Sequence, residues 1–146
     1  MEALVESARS AGATVRVGGA RPPDRDAGYF YQPTVVAGVD PSMPVYAEEI
    51  FGPVLPVASF RDVDEAIALA NGTRYGLAAY VWTNDLRTAV RASERLEFGM
   101  IGVNEWTPQA VEAPFAGWKE SGVGREAGLE GLEEYLETKL VATGGL

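Results

Sequence analysis

Three segments concentrate the residue types that could hold or orient a ligand: Glu48-Glu49-Ile50-Phe51-Gly52-Pro53-Val54, Asn71-Gly72-Thr73-Arg74-Tyr75-Gly76-Leu77, and Pro114-Phe115-Ala116-Gly117-Trp118-Lys119-Glu120-Ser121-Gly122-Val123-Gly124-Arg125-Glu126. In the first, a carboxylate at Glu49 and a ring at Phe51 stand two residues apart ahead of Gly-Pro. That pair could accept hydrogen bonds from a ribose while the ring packs on a flat partner. The plainer arrangement, with Glu48 and Glu49 solvated and Phe51 in the core, stays open, because apolar rings are more often core than site. What the 146 residues lack is equally informative: there is no Cys and no His. Disulfides, thiolate metal sites and cysteine nucleophiles are excluded, and the commonest general base and transition-metal ligand is missing too, so no metal site is expected.

Other patterns imitate chemistry. Gly122-Val123-Gly124-Arg125-Glu126-Ala127-Gly128 looks like a dinucleotide fingerprint, but its last spacing is one residue too long and no strand is expected before it. A tight approach into a terminal helix accounts for it, with Arg125 seeking a carboxylate because a cation is unfavourable beside a helix N-terminus. Trp82, Trp106 and Trp118 read as packing or interface residues. Glu130, Glu133, Glu134 and Glu137 read as a solvated helix face.

The elements that must position these segments follow from periodicity. Residues 3–11 form the end of a helix stopped by Gly12, and Ala13–Val17 a short strand closed by Gly18-Gly19. A polar stretch from Ala20 to Gly28 leads to an edge or short extended segment, Thr34–Ala37. Val54–Phe60 is strand-like, and Pro56 favours a short or edge pairing there. Asp62 caps a helix carrying Val63, Ala66, Ile67 and Ala70, with Glu65 at its third position, and Asn71-Gly72 ends it. Leu77–Thr83 is a strand. Asn84 or Asp85 starts a helix with Leu86, Ala89, Val90 and Leu96 on one stripe, and Gly99–Val103 is a further strand. The order β-α-β-α-β predicts an α/β fold with a mainly parallel sheet and flanking helices. Leu129, Leu132 and Leu136 mark a last helix, weakened by Gly128 and Gly131, before an extended tail.

Composition bounds the rest. Hydrophobic residues at 47% and charged residues at 23% are globular values, and the length suits one domain. A formal charge of −9 repels nucleic acid and anionic membranes. The N-terminus lacks a basic segment leading into an apolar run, and no apolar stretch approaches the roughly 20 residues of a membrane span, so a cytoplasmic location is expected.

Together the segments resemble the aldehyde dehydrogenase superfamily from about Val15 to the last residue. Gly28-Tyr29-Phe30-Tyr31-Gln32-Pro33-Thr34 is similar to the family's Gly-Tyr-Phe-x-x-Pro-Thr, Glu48–Val54 to Glu-Glu-x-Phe-Gly-Pro-Val, and Asn71–Leu77 to Asn-x-x-x-Tyr-Gly-Leu. Pro114–Glu126 is similar to Pro-Phe-Gly-Gly-x-Lys-x-Ser-Gly-x-Gly-Arg-Glu. Asn104-Glu105, Glu134–Lys139 and the ending Gly144-Gly145-Leu146 look closest to the succinate-semialdehyde dehydrogenases.

The resemblance implies the rear part of a catalytic domain over 1–139 and an extended C-terminal oligomerisation strand over 140–146. It implies NAD or NADP as cofactor, with Glu49 on the nicotinamide-side ribose and Phe51 near the nicotinamide. Phe115 would line the aldehyde tunnel. Gln109 would stand where a Ser anchors a succinate semialdehyde carboxylate, which puts that substrate in doubt. Arg125 and Glu137 would belong to a charged network at a dimer interface. Ala116 replaces the first Gly of the usual pair and would narrow the loop beside Phe115. The family oxidises aldehydes through a cysteine thiolate, with a glutamate base and an oxyanion-hole Asn. All three, with the nucleotide-binding domain, are expected upstream of what is present, so catalytic residues are expected to be absent and the chain to be inactive alone. Its partners would be further copies of itself or a homologous dehydrogenase subunit. Apolar surface built to face them predicts self-association or marginal stability.

Overall fold

The computed structural model describes residues 1–25 and 27–145; Asp26 of the polar stretch and Leu146 of the tail lie outside the described residues. The chain forms two compact units, Met1–Gly72 and Thr73–Leu146.

The first unit begins with helix α1 (Glu2–Ser10), which buries Val5 and Ala8, one turn apart. Gly12, at φ 100°, turns the chain out of it in a conformation that disfavours side chains. Strands β1 (Thr14–Val17), β2 (Thr34–Ala37) and β3 (Val54–Val57) form a sheet in that order, with helix α2 (Pro44–Ala47) between β2 and β3. Segment Thr34–Ala37 is thus the central strand, not the edge that its flanking Pro33 suggested. Its Thr34 and Val36 point into the core, and Thr34 is tolerated there because its hydroxyl donates to Gln32 O and accepts from Gly19 N, both at 2.8 Å. Strand β3 stops at Val57, short of the expected Phe60, and forms the edge, where the missing N–H of Pro56 leaves no ladder bond unmade. The core gathers Val5, Ala8, Ala13, Val36, Val39, Met43, Val45 and Val54. Helix α3 (Val63–Asn71) starts as expected: the Asp62 carboxylate accepts from Glu65 N at 2.9 Å, and Glu65 reaches back to Arg61 N at 2.6 Å. The Tyr46 hydroxyl, on α2, donates to Leu69 O at 2.6 Å.

The second unit holds β4 (Tyr75–Gly76), β5 (Ala78–Val81), helix α4 (Leu86–Arg95), β6 (Met100–Val103), β7 (Trp118–Lys119) and helix α5 (Gly128–Glu133). Asp85 caps α4, accepting from Thr88 N at 2.8 Å. The β5–α4–β6 crossover gives a parallel pair in register Ala78↔Met100 to Val81↔Val103.

The α/β class holds, but the strands lie in three small sheets, and the pairings are mixed rather than mainly parallel. β2·β3 and β5·β6 are parallel; β1·β2 and β4·β7 are antiparallel. The connections explain this: both parallel pairs have a helix in the crossover, whereas loops alone join β1 to β2, which leaves antiparallel pairing open. The α4 stripe also divides. Leu96, just past the helix end, is buried and Ala89 is half-buried, while Leu86 is 78% exposed and Val90 is exposed beside it; Ala92, which lies outside that stripe, is the buried residue of the helix itself. Leu129, Leu132 and Leu136 are likewise exposed, and tail residues 140–145 form no strand; Leu140 and Val141 lie open.

Candidate functional site

In the first unit, Glu49 and Phe51 sit on the loop that leaves α2 and enters β3. Both are exposed, so the reading of Phe51 as core is overturned: its ring is 88% accessible. The residues on either side explain why. Ile50 turns toward the core and Val54 is buried, which leaves the intervening ring facing out. Among the described residues Glu49 makes no hydrogen bond or ion pair, so its oxygens are open to a donor. Phe51 lines an open concavity of about 420 Å³ with Tyr29, Phe30 and Tyr31, and Arg21 and Glu2 also line it.

This aromatic wall is what residue-by-residue reasoning missed, although Gly28-Tyr29-Phe30 carried the signal. Gly28 adopts φ 96°, and a Cβ there would lie 2.9 Å from the Phe30 ring, so only glycine lets the ring fold back. The Arg25 guanidinium lies 4.9 Å from the Phe30 ring centroid. Arg21 Nε donates to Glu2 Oε1 at 2.7 Å, which raises the Arg21 pKa. The Tyr31 hydroxyl is buried with no partner among the described residues, and burial pushes its pKa upward.

In the second unit, two of the chemistry-bearing segments fasten to each other. Tyr75 pairs with Lys119 and Gly76 with Trp118 across β4 and β7. Gly76 N donates to Ser121 Oγ at 2.8 Å, Glu120 N to Arg74 O at 3.0 Å, and Lys119 Nζ to Thr73 O at 3.2 Å. Lys119 also pairs with Glu97 at 3.1 Å and lies 5.6 Å from the Phe98 ring centroid. Close backbone approach explains the glycines: a Cβ on Gly76 would come within 2.7 Å of Glu97 O, and one on Gly99 would overlap Ala116 O. A short strand therefore does precede the Gly122–Gly128 run, contrary to expectation. The run itself is a tight turn, with Gly124, Ala127 and Gly128 all at positive φ.

Phe115, half-buried, is held by two backbone bonds with Glu126, at 2.7 and 2.9 Å, and Ala116 beside it is buried. Gln109 is exposed on the 105–113 segment. Arg125 finds no carboxylate among the described residues; its Nη1 donates to Gly124 O at 3.2 Å, and Glu137 is exposed without forming a pair with it. Thus Phe115 and Arg125 share one turn, whereas Glu49 and Phe51 belong to the other compact unit. The Trp expectation holds in part: Trp106 contacts Trp82 and Tyr80, at ring-centroid distances of 5.0 and 5.5 Å, in a cluster that is itself exposed. Glu105 anchors the turn beneath Trp106. Hydrogen bonds from Thr107 N and Oγ1, at 2.8 and 2.9 Å, hold its carboxyl below the usual glutamate range. No group of three or more Asp or Glu side chains among the described residues could hold a metal ion.

The aldehyde dehydrogenase family profile matches residues 1–141, and the chain belongs to that family. It is 47% identical to the succinate-semialdehyde dehydrogenase of Paenarthrobacter nicotinovorans, over 97% of this chain and 31% of that protein. It is 46% identical to the non-phosphorylating aspartate-semialdehyde dehydrogenase of Halomonas elongata, over 99% of this chain and 29% of that one. Its fold is similar to the crystal structure of betaine aldehyde dehydrogenase from Staphylococcus aureus in complex with NAD+, with a TM-score of 0.87 and 45% identity, over 94% of this chain and 28% of that one. The chain thus spans less than a third of the length of these relatives.

Proposed function

We propose that this chain is the C-terminal portion of an NAD(P)-dependent aldehyde dehydrogenase, an enzyme that oxidises an aldehyde, semialdehydes among the candidates, to a carboxylic acid. The observation that carries this reading is the family match across 1–141 in a sequence without Cys that spans under a third of its relatives. On this reading 1–139 is part of a catalytic domain and 140–146 an oligomerisation tail. NAD(P), when bound, accepts the hydride. Glu49 and Phe51 suit its nicotinamide end, since a carboxylate with open oxygens can accept from two ribose hydroxyls and an uncovered ring can pack on a flat one. Phe115 and Gln109 contribute to the wall of the aldehyde tunnel. Because Gln109 offers an amide rather than a hydroxyl, it can orient a polar aldehyde tail by donating as well as accepting.

The thioester step needs a thiolate that the sequence does not contain, so the chain by itself gives no turnover. Incubation with NAD or NADP and a panel of aldehydes, semialdehydes included, tests this; robust turnover by the isolated chain sinks it. Titration calorimetry with each nucleotide tests the cofactor surface, and Glu49→Gln and Phe51→Ala are expected to weaken any binding seen. The second reading is a non-catalytic module that associates with itself or with a homologous dehydrogenase subunit. It is favoured by the exposed apolar residues from Leu129 to Val141 and by the open Arg125 and Glu137. A strict monomer by light scattering, unchanged when a full-length homologue is added, counts against it. We place the chain in the cytoplasm, with neither membrane nor nucleic acid among its partners. No helix of the described residues is long and apolar enough to cross a membrane, and the −9 charge opposes nucleic acid.

A further inference from the structure

The two compact units are of nearly equal length but bury apolar surface unequally. Nine of the thirteen buried apolar side chains among the described residues belong to the first unit, including the largest that are fully enclosed, Val5, Val36 and Val45. The second unit buries Ala92, Leu96, Met100 and Ala116, and two of those four are alanines. It also carries fifteen of the twenty-three exposed large apolar side chains. Hydrogen bonds give it its shape: the Asn104 side chain accepts from Thr83 N at 2.9 Å and donates to Thr83 O at 2.8 Å, and Gly76 N donates to Ser121 Oγ. Such bonds replace bonds to water, so they set geometry more than they supply stability, and apolar burial decides which unit opens first.

The sheets differ in the same sense. In the first unit three strands share a core with α1, an arrangement that can stand alone, whereas the second unit has only two-stranded pairs. One of these, β5·β6, is parallel. Parallel strands belong to sheets covered on both faces, yet neither β5 nor β6 pairs with a third strand among the described residues, and Tyr80 on β5 is exposed. Length points to what covers them: the fold matches the Staphylococcus aureus structure over 94% of this chain but 28% of that one, so there the same fold is set within a much longer chain. We infer that the second unit, with Phe115 and Gln109, opens at lower free energy than the first and is closed by the upstream part of an aldehyde dehydrogenase chain, while the first unit keeps the Glu49 and Phe51 loop in shape by its own core. The inference rests on the reading of this chain as a C-terminal portion. It adds that the candidate residues are held with unequal firmness, the cofactor-side pair without help and the aldehyde-side pair with the missing part in place.

The test is amide hydrogen exchange of the whole chain, read by mass spectrometry. Backbone amides of α1 and β2 are expected to be protected about 100-fold more than those of α4, β5 and β6. The second arm is a chimera in which this chain replaces the matching segment of the Paenarthrobacter nicotinovorans succinate-semialdehyde dehydrogenase. There the protection of α4, β5 and β6 is expected to rise about 10-fold more than that of α1 and β2. Equal protection of the two units in the isolated chain, or a better protected second unit, overturns the inference. So does a chimera in which the second unit gains no more than the first, or one that does not accumulate as soluble protein. A chimera protected as expected that turns over no aldehyde with NAD or NADP overturns the functional reading alone.

Discussion

The bond from Gly76 N to Ser121 Oγ is a sharp test of how the two family segments of the second unit hold each other. At 2.8 Å it is of ordinary strength, and Gly76 is buried in the narrow gap between Glu97 O and Trp118. Ser121→Ala removes the acceptor without adding volume. The alanine methyl cannot accept, and a Cβ-sized gap does not admit water easily, so the N–H is left without a partner. A buried orphan donor costs about 1–3 kcal/mol, more than the 0.5–1.5 kcal/mol net worth of a typical hydrogen bond. With a urea slope of about 1.5 kcal/mol/M, the unfolding midpoint falls by about 0.7–2 M. Ser42→Ala is the control, because that hydroxyl serves only an exposed turn through Asp40 and the change is expected to stay within about 0.5 kcal/mol. Urea titrations followed by tryptophan fluorescence suit the test, since Trp118 lies on the strand beside Gly76. Equal, small effects at Ser121 and Ser42 would refute the reasoning, for they would mean that water reaches Gly76 N.

Three further outcomes are expected from other parts of the chain. Val36→Ala, at a fully buried position of β2, is expected to cost about 2–3 kcal/mol by chemical denaturation, from lost transfer energy plus a residual cavity, whereas Leu55→Ser on the exposed side of β3 is close to neutral. Gly99→Ala drives a methyl into the carbonyl of Ala116 and is expected to lower the soluble yield and the melting temperature far more than Gly38→Ala, whose only difficulty is its positive φ. The carboxyls of Asp40, Glu65, Asp85 and Glu105 are held low mainly by hydrogen bonds from Ser42, Arg61, Thr88 and Thr107. Between the folded and unfolded pKa values the unfolded chain binds more protons, so this contribution is complete above about pH 4.5 and is lost as pH falls through the folded values. Melting temperature against pH should therefore decline below that point, and Asp85→Asn should flatten the decline.

The sequence marked most of the secondary structure within a residue or two, because the signals were local. Asp62 and Asp85 cap their helices through bonds to residues three positions on, and Gly12 and Gly72 stop helices where expected. Sheet pairing was less legible. Thr34–Ala37 follows a proline and reads as an edge or short extended segment; it is short, yet β1 and β3 both pair with it, and a strand's neighbours are set by segments far away in sequence. The exposure of Phe51 and the division of the α4 stripe were hidden for the same reason: an apolar residue at helical or loop spacing looks like core until the packed elements leave it uncovered.

For the candidate site, residue type and spacing pointed to Glu49 and Phe51, the family resemblance added Phe115 and Gln109, and the absence of Cys removes a cysteine nucleophile from these 146 residues whatever the fold. Composition is a property of the chain, so no folding of these 146 residues can supply a thiolate. What only the tertiary structure decided is how those residues are held: the aromatic wall beside Phe51, the Ser121–Gly76 bond that locks two distant segments, and the apolar faces of α4 and α5 left open. Each depends on distances between residues far apart in sequence, which hydrophobic burial and backbone hydrogen bonding fix only when the whole unit packs.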